Sequence, residues 1–309
     1  MPESSLLPGL ILRAQSGFFD VDTERGRLRC QLRGRLTRPR RVTDLAAAGD
    51  HVLVRPLGPD QGVIEVVEER RRVLSRRAPA GGSDRRFERE QVLLANPDQV
   101  AFIFAAAEPE PNLALLDRLL VAAERENLPA LIVVNKIDLT GRRHAAGDFD
   151  LYRKLGYPVF YVSAKTGAGL RELRRALRGK ITAVAGRSGV GKTSLLNAIQ
   201  PERQRPTLTL SPSTGKGRHA TVFPELAPLA EGGYLADTPG LKAFALWDIE
   251  PDELDGYFPE LRPLVKECAF SDCTHTHEPD CAVLRAVEKG RVDPGRYESY
   301  LRIRLGDGE

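Results

Sequence analysis

Eight consecutive residues, Gly186-Arg187-Ser188-Gly189-Val190-Gly191-Lys192-Thr193, have the spacing Gly-x4-Gly-Lys-Thr. That spacing lets the glycines turn backbone N–H groups inward around phosphate oxygens. The helix expected over Thr193 to Ile199 adds its positive dipole end. Lys192 is set to reach the β- and γ-phosphates and the Thr193 hydroxyl to ligate Mg²⁺, with Ser194 completing the contacting stretch. A predicted strand, Ile181 to Ala185, leads into the loop, so strand, loop and helix stand in the order that phosphate binding needs.

Asn135-Lys136-Ile137-Asp138 follows another predicted strand, Ala130 to Val134. Alone, this pattern also fits a helix cap. Beside a phosphate loop it reads a base, because a carboxylate accepts hydrogen bonds from both N1–H and the exocyclic amine of guanine. Adenine lacks that donor pair, so Asp138 selects GTP. Asn135 braces the loop and contacts N7, and the Lys136 stem packs over the base. Ser163-Ala164-Lys165 offers a backbone N–H to guanine O6.

A third group is Asp237-Thr238-Pro239-Gly240, after the short strand Tyr234 to Ala236. Asp237 is expected to hold Mg²⁺ through water, and the Gly240 N–H to sense the γ-phosphate. Thr221 follows a polar stretch, Pro201 to His219, that reads as a switch loop ordered when Thr221 meets Mg²⁺ and the γ-phosphate. The plainer reading leaves Thr221 an ordinary strand residue. Where Ras-like proteins carry a water-orienting Gln, this chain has Leu241. His219 is the best polar substitute, with RNA contact or loop capping as its alternative role.

These groups stand in an unusual order. An ordinary GTPase opens with the phosphate loop and closes with the base-reading motifs, whereas here residues 135–138 and 163–165 precede residues 186–193. The chain reads as a circularly permuted GTPase.

Cys268-x4-Cys273-x-His275-x5-Cys281 supplies three thiolates and an imidazole in one compact stretch, a set suited to tetrahedral, structural zinc. His277 lies close by, and spacing separates the two histidines only weakly. Cys30 stands apart and reads as a small buried hydrophobe.

The elements positioning these groups fall into three parts. Residues 1–78 show short alternating runs (Gly9 to Ala14, Gly26 to Leu32, His51 to Arg55, Gly62 to Val67), the pattern of a small β-barrel. A five-stranded OB-fold barrel is the natural candidate, although an SH3-like barrel produces much the same pattern. Residues 1–90 hold 18 arginines and no lysine against 13 acidic residues, which favours nucleic-acid contact over a merely solvated face. After a polar linker at 79–90, residues 91–250 alternate strand and helix, as a parallel sheet covered on both faces requires. Predicted there are strands at Val100 to Ala106 and Val159 to Val162, and helices at Leu113 to Arg125 and Leu170 to Arg178. Residues 251–309 read as helical around the cysteine cluster. The fold class is thus multidomain α/β with a C-terminal zinc-binding module. No apolar run approaches the ~18 residues of a membrane span, and no signal-peptide layout opens the chain. A cytoplasmic monomer is expected.

Taken together, these residues resemble the ribosome small-subunit-dependent GTPase A family (RsgA, also called YjeQ). The likeness includes Gly49-Asp50, Asn96-Pro97-Asp98-Gln99-Val100, Leu116-Asp117-Arg118, Ser194-Leu195-Leu196-Asn197 and Gly217-Arg218-His219, besides the motifs above. The resemblance selects His275 as the fourth zinc ligand and His219 as the water-positioning residue. It implies a late small-subunit assembly factor that binds rRNA, is stimulated by the subunit and leaves it on hydrolysis to GDP. One departure is that the family's threonine run is Ala220-Thr221-Val222 here, leaving Thr221 as the single Mg²⁺-sensing candidate. The permutation also sends the γ-phosphate-sensing segment into the zinc module within about thirty residues, as in a nucleotide-gated clamp. Two other classes compete: an rRNA binder with vestigial GTPase motifs, and a permuted GTPase acting on the large subunit. Complete motifs argue against the first, and the basic barrel with the Cys/His cluster against the second.

Overall fold

The computed structural model describes residues 6–34, 44–77, 90–200, 225–237 and 249–306. Five strands close a barrel: β1 (Leu7–Gln15), β2 (Phe18–Thr23), β3 (Gly26–Leu32), β4 (His51–Pro56) and β5 (Gln61–Val67), in the order β1-β2-β3-β5-β4. All neighbours are antiparallel except β3 and β5. That parallel pair is the OB arrangement, and it decides against the SH3-like alternative. β2 is a strand that pattern reading missed. Only Phe19 and Val21 of its six residues are buried, and two aspartates interrupt the apolar signal. Ile11, Val21, Leu28, Val54 and Ile64 fill the interior with Cys30, whose thiol burial pushes up to about 11.

β6 (Val73–Arg77) and β7 (Glu90–Ala95) pair as an antiparallel hairpin that leads from the barrel into the second sheet. The joint is tight. Gly49, at φ +92°, packs so closely that a Cβ would lie 1.9 Å from the Ala95 carbonyl oxygen. Asn96 donates to the Gly49 carbonyl at 3.0 Å and accepts from the Arg71 N–H at 2.8 Å. Asp50, fully buried, accepts from the Ala47 N–H and from Arg70.

The second sheet comprises β8 (Gln99–Ala105), β9 (Ala130–Asn135), β10 (Val159–Tyr161), β11 (Ile181–Ala185), β12 (Leu226–Pro228) and β13 (Tyr234–Asp237), in the order β10-β9-β8-β11-β13-β12. Only β12 runs antiparallel. Every residue of β8 is buried, the mark of a strand covered on both faces. α1 (Leu113–Arg125) and α3 (Arg142–Lys154) cover one face, and α4 (Leu170–Leu177) and α5 (Lys192–Ile199) the other, with the short α2 (Ile137–Thr140) between β9 and α3. α3 escaped the sequence reading because polar residues and Gly147 obscure its buried stripe of Ala145, Phe149 and Tyr152. The strand entering the phosphate loop, β11, sits in the middle of the sheet although β8, β9 and β10 precede it in the chain. Side-by-side pairing is indifferent to chain order, so permutation leaves the sheet whole.

A 3-10 helix (Pro251–Tyr257), α6 (Arg262–Val265), α7 (Ala282–Glu288) and α8 (Pro294–Arg304) pack around Leu254, Phe258, Val283, Ala286 and Tyr300. Val121 of α1 belongs to that core, so the module is seated on the sheet domain. Beside it Arg296, 2% exposed, donates to Asp117 of α1 and to Glu260, both at 2.6 Å, and lies 4.6 Å above the Phe258 ring. Among the described residues no helix is long and apolar enough to cross a membrane.

Candidate nucleotide site and metal centre

The C-terminal ends of β9, β10, β11 and β13 share one rim, where ligands bind in open parallel sheets. β11 delivers Gly186 to Thr193, β9 delivers Asn135 to Asp138, β10 delivers Ser163 to Lys165, and β13 ends on Asp237. Asn135, 1% exposed, ties three of these segments together. Its Nδ2 donates to the Val190 carbonyl at 3.0 Å, and its Oδ1 accepts from the Ala164 N–H at 3.1 Å. A Cβ at Gly191, where φ is +86°, would lie 2.6 Å from that Nδ2. Glycine is therefore required there twice, by backbone angle and by space.

The groups that would face a ligand are open. Asp138, Lys165, Arg187, Ser188, Gly189, Thr193 and Ser194 are exposed, above the buried Val190. The Ser163 hydroxyl, itself buried, donates to Asp138 Oδ1 at 2.6 Å and accepts from the Thr166 N–H at 3.1 Å. That bond from Ser163 holds the Asp138 carboxyl below the usual carboxylate range, keeping it ionised and acceptor-only. Lys192 Nζ donates to the Gly186 and Arg187 carbonyls at 2.7 and 3.0 Å, folding the loop into a ring. Lys136, at φ +63°, donates to the Glu108 carbonyl. Arg174 of α4 bonds the Ala198 and Ile199 carbonyls, capping the helix that follows the loop. His219, Thr221, Thr238, Pro239, Gly240 and Leu241 lie outside the described residues, as does the Asp237 side chain.

In the C-terminal module the ligand atoms of Cys268, Cys273, His275 and Cys281 all lie within 4.8 Å of one another. His275 Nδ1 is 3.6 Å from Cys268 Sγ and 3.4 Å from Cys281 Sγ, and those two sulfurs are 4.0 Å apart. Zinc bonds of about 2.0–2.3 Å in a tetrahedron set donors roughly 3.5–3.8 Å apart, so the cluster fits a zinc site. Burial pushes the Cys273 thiol up to about 12 and raises that of Cys281, so loading such a site must displace protons. His275 is fully buried, while His277 is exposed and pairs with Thr276, outside the cluster.

Sequence reading missed Asp255. It accepts from His275 Nε2 at 3.1 Å, fixing the ring so that Nδ1 faces the sulfurs. Nothing local flags it, since it lies twenty residues from His275 on the 3-10 helix. Glu278 was missed as well. Burial opposes its charge, but the Thr274 hydroxyl and the N–H groups of Thr274, Thr276 and His277 hold its carboxyl far below the usual range. Those bonds pin the loop in which His275 adopts φ +58°.

A family model described as RsgA GTPase matches residues 67–247, and one described as RsgA N-terminal domain matches residues 8–64. The chain is 43% identical over 299 residues to the small ribosomal subunit biogenesis GTPase RsgA of Gemmatimonas aurantiaca, covering 96% of each. The crystal structure of YjeQ from Thermotoga maritima superposes with a TM-score of 0.77 at 35% identity, covering 97% of this chain and 98% of that one. YloQ, described as a circularly permuted GTPase, gives a TM-score of 0.75 at 31% identity, with 99% and 96% covered. The permuted motif order, the closed barrel and the Cys3His cluster agree with those matches across nearly the whole length: the chain is a circularly permuted GTPase of the RsgA family.

Proposed function

We propose that the chain is an assembly factor of the small ribosomal subunit that holds rRNA through its basic barrel, is stimulated by the subunit to hydrolyse GTP, and leaves on hydrolysis. The observation that supports this most is the continuity between barrel and nucleotide rim. Leu10 and Leu12 of the barrel share a core with Phe102 of β8 and Ala236 of β13. Tyr234, on the strand that ends at Asp237, donates to Asp22 of β2 at 2.8 Å. An RNA held by the barrel therefore bears on the strand that leads to the γ-phosphate-sensing motif.

In this reading Asp138 accepts from guanine N1–H and its exocyclic amine, Asn135 and Ala164 line the base, and residues 186–194 wrap the phosphates. Thr193, Thr221 and Asp237 would hold the Mg²⁺ that accompanies GTP, and the ion would neutralise phosphate charge as it develops. Gly240 senses the γ-phosphate and His219 positions the attacking water. One zinc on Cys268, Cys273, His275 and Cys281 is structural, because the four donors leave no open position. Residues 1–78, 91–250 and 251–309 act as barrel, engine and zinc module, with barrel and zinc module as two jaws on the subunit.

GTP turnover by the purified protein, alone and with small or large subunits, tests the proposal. Small subunits alone should accelerate it. His219→Ala should keep GTP affinity and GTP-dependent subunit binding, lose about 10²–10⁴-fold of stimulated hydrolysis, and remain on the subunit. Tight RNA binding with turnover indifferent to small subunits would instead return the chain to the class of rRNA binders with an idle GTPase.

A further inference from the structure

Along β3 the outward positions are Arg27, Arg29 and Gln31, with Arg33 just past the strand; all four are exposed while Leu28 and Cys30 point inward. Two strands away, Arg55 of β4 is exposed as well. Between them, on β5, the Glu65 side chain is only 8% exposed. A carboxylate buried on the outside of a small barrel is costly unless paired, and this one is paired twice. Arg33 Nη1 donates to its Oε2, and Arg55 Nε donates to its Oε1 at 3.0 Å. The hydrogen bond from Arg33 holds the Glu65 carboxyl below the usual range, so it stays ionised.

The backbone is shaped for this arrangement. Opposite β4, β5 carries one extra residue: Leu53 pairs with Val66 and Val54 with Ile64, and Glu65 is the residue inserted between them. Such a bulge re-aims the side chain it carries. Ile64 points into the barrel, and Glu65, directly after it, lies between the two guanidiniums. Those side chains remain 46% and 48% exposed. Glu65 engages one nitrogen of each fork, and each half-exposed guanidinium carries further N–H donors.

We infer that Arg33, Glu65 and Arg55 form a preorganised clamp for a backbone phosphate of RNA, in which Glu65 fixes the two guanidiniums that receive the phosphate. The identity of the ligand rests on the proposed RNA-binding role. Two guanidiniums around one carboxylate leave a net positive charge, and planar forks match phosphate oxygens in pairs. Arginines already immobilised lose less conformational freedom when the ligand arrives. The clamp continues into the Arg29–Arg27 row of β3, and a stripe of cations suits a repeating polyanion better than a single anion. Arg29 also lies 4.6 Å above the ring of Phe18, an exposed aromatic beside the stripe.

The test exploits a conflict of sign. Glu65→Gln removes a negative charge from a basic surface, so charge counting alone makes RNA bind more tightly. The clamp makes it bind more weakly, by roughly threefold to tenfold, because the arginines are released. Arg33→Lys and Arg55→Lys keep the charge and lose the fork, so each should weaken binding by about tenfold with an unchanged salt slope. Binding of the full chain to purified small subunits and to a short single-stranded RNA would be measured across salt concentrations, with thermal melting and GTP affinity of each variant alongside. If Glu65→Gln fails to fold, the two lysine variants decide, since they retain a cation for Glu65. RNA binding by folded Glu65→Gln as tight as wild type or tighter, or unchanged affinity in both lysine variants, overturns the clamp. Wild-type protein that binds neither subunit nor RNA overturns the RNA-binding role itself, a result recognisable because no variant then differs.

Discussion

At the nucleotide rim the side chains facing solvent, Asp138, Lys165 and Thr193, stand over two buried polar residues, Asn135 and Ser163, which hold the loops together. Where the C-terminal module meets α1 the arrangement is inverted: Arg296 and His275 of the module and Asp117 of α1 are themselves buried, and their partners come from the protein. The difference lies in what desolvation does to each group. An exposed carboxylate braced from below by Ser163 keeps acceptor capacity for a ligand. A buried guanidinium between two carboxylates has no reason to exchange them, and Asp117, whose carboxyl burial pushes upward, depends on Arg296 to stay charged. Polar groups at the rim are held by the fold, whereas those in the module hold it.

The sharpest way to break this contrast is to remove the proposed zinc. Chelation, or Cys281→Ser, should unfold the C-terminal module, since structural zinc contributes on the order of 10 kcal/mol in small zinc domains. GTP affinity, read with a fluorescent analogue, should change less than about threefold, because among the described residues the rim draws no contact from the cluster. Elemental analysis should return one zinc per chain. A metal-free protein with the same melting temperature would erase the distinction.

Next in size is Arg296→Ala. Leaving Asp117 and Glu260 buried without their cation should cost about 3–5 kcal/mol, measured by equilibrium denaturation. Replacing the whole triad, Arg296→Met with Asp117→Leu and Glu260→Leu, should recover much of that loss, as apolar replacement of buried ion pairs commonly does. A single variant as stable as wild type would show that the module is held elsewhere.

At the rim the effects should appear in binding and leave stability alone. In the proposed reading Asp138→Asn turns one of two guanine-facing acceptors into a donor, so GTP should weaken by roughly 10–100-fold and xanthosine triphosphate should gain. Melting should stay put. Wild-type protein that binds ATP as well as GTP would remove Asp138 from base selection.

The smallest change expected is in Ser163→Ala. Its hydroxyl depresses the Asp138 carboxyl, and guanine needs that carboxyl ionised. Binding is therefore present above the Asp138 pKa and lost as pH falls through it. Without the hydroxyl the pKa rises, so the acid-side loss of GTP binding should begin at higher pH. An unmoved acid limb would mean that Ser163 acts only on its own loop.

The strand, loop and helix of residues 181–199 were legible from spacing alone, because they are contiguous backbone. Gly-x4-Gly-Lys-Thr specifies a loop of inward N–H groups wherever a strand precedes it and a helix follows, and residues 181–199 supply both. The helix over Leu113 to Arg125 and the strand at 181–185 fall where periodicity places them, since a long amphipathic stripe and a β-branched run are strong local signals. β2 and α3 were invisible for the opposite reason: each buries only two or three side chains, whose value depends on what covers them.

What tertiary structure alone decided are the pairings of charged and polar groups. Spacing separates His275 from His277 only weakly and the family resemblance selects His275; the loop pinned by Glu278 places it among the sulfurs and leaves His277 exposed. Asp117 meets Arg296 across 179 residues, and Tyr234 meets Asp22 across 212. Glu65 becomes a clamp residue only because a bulge in β5 turns it between arginines from two other strands. Sequence determines chemistry wherever neighbours in the chain are neighbours in space. A side chain's partner across the fold is settled by packing, because burial fixes which charges must find each other.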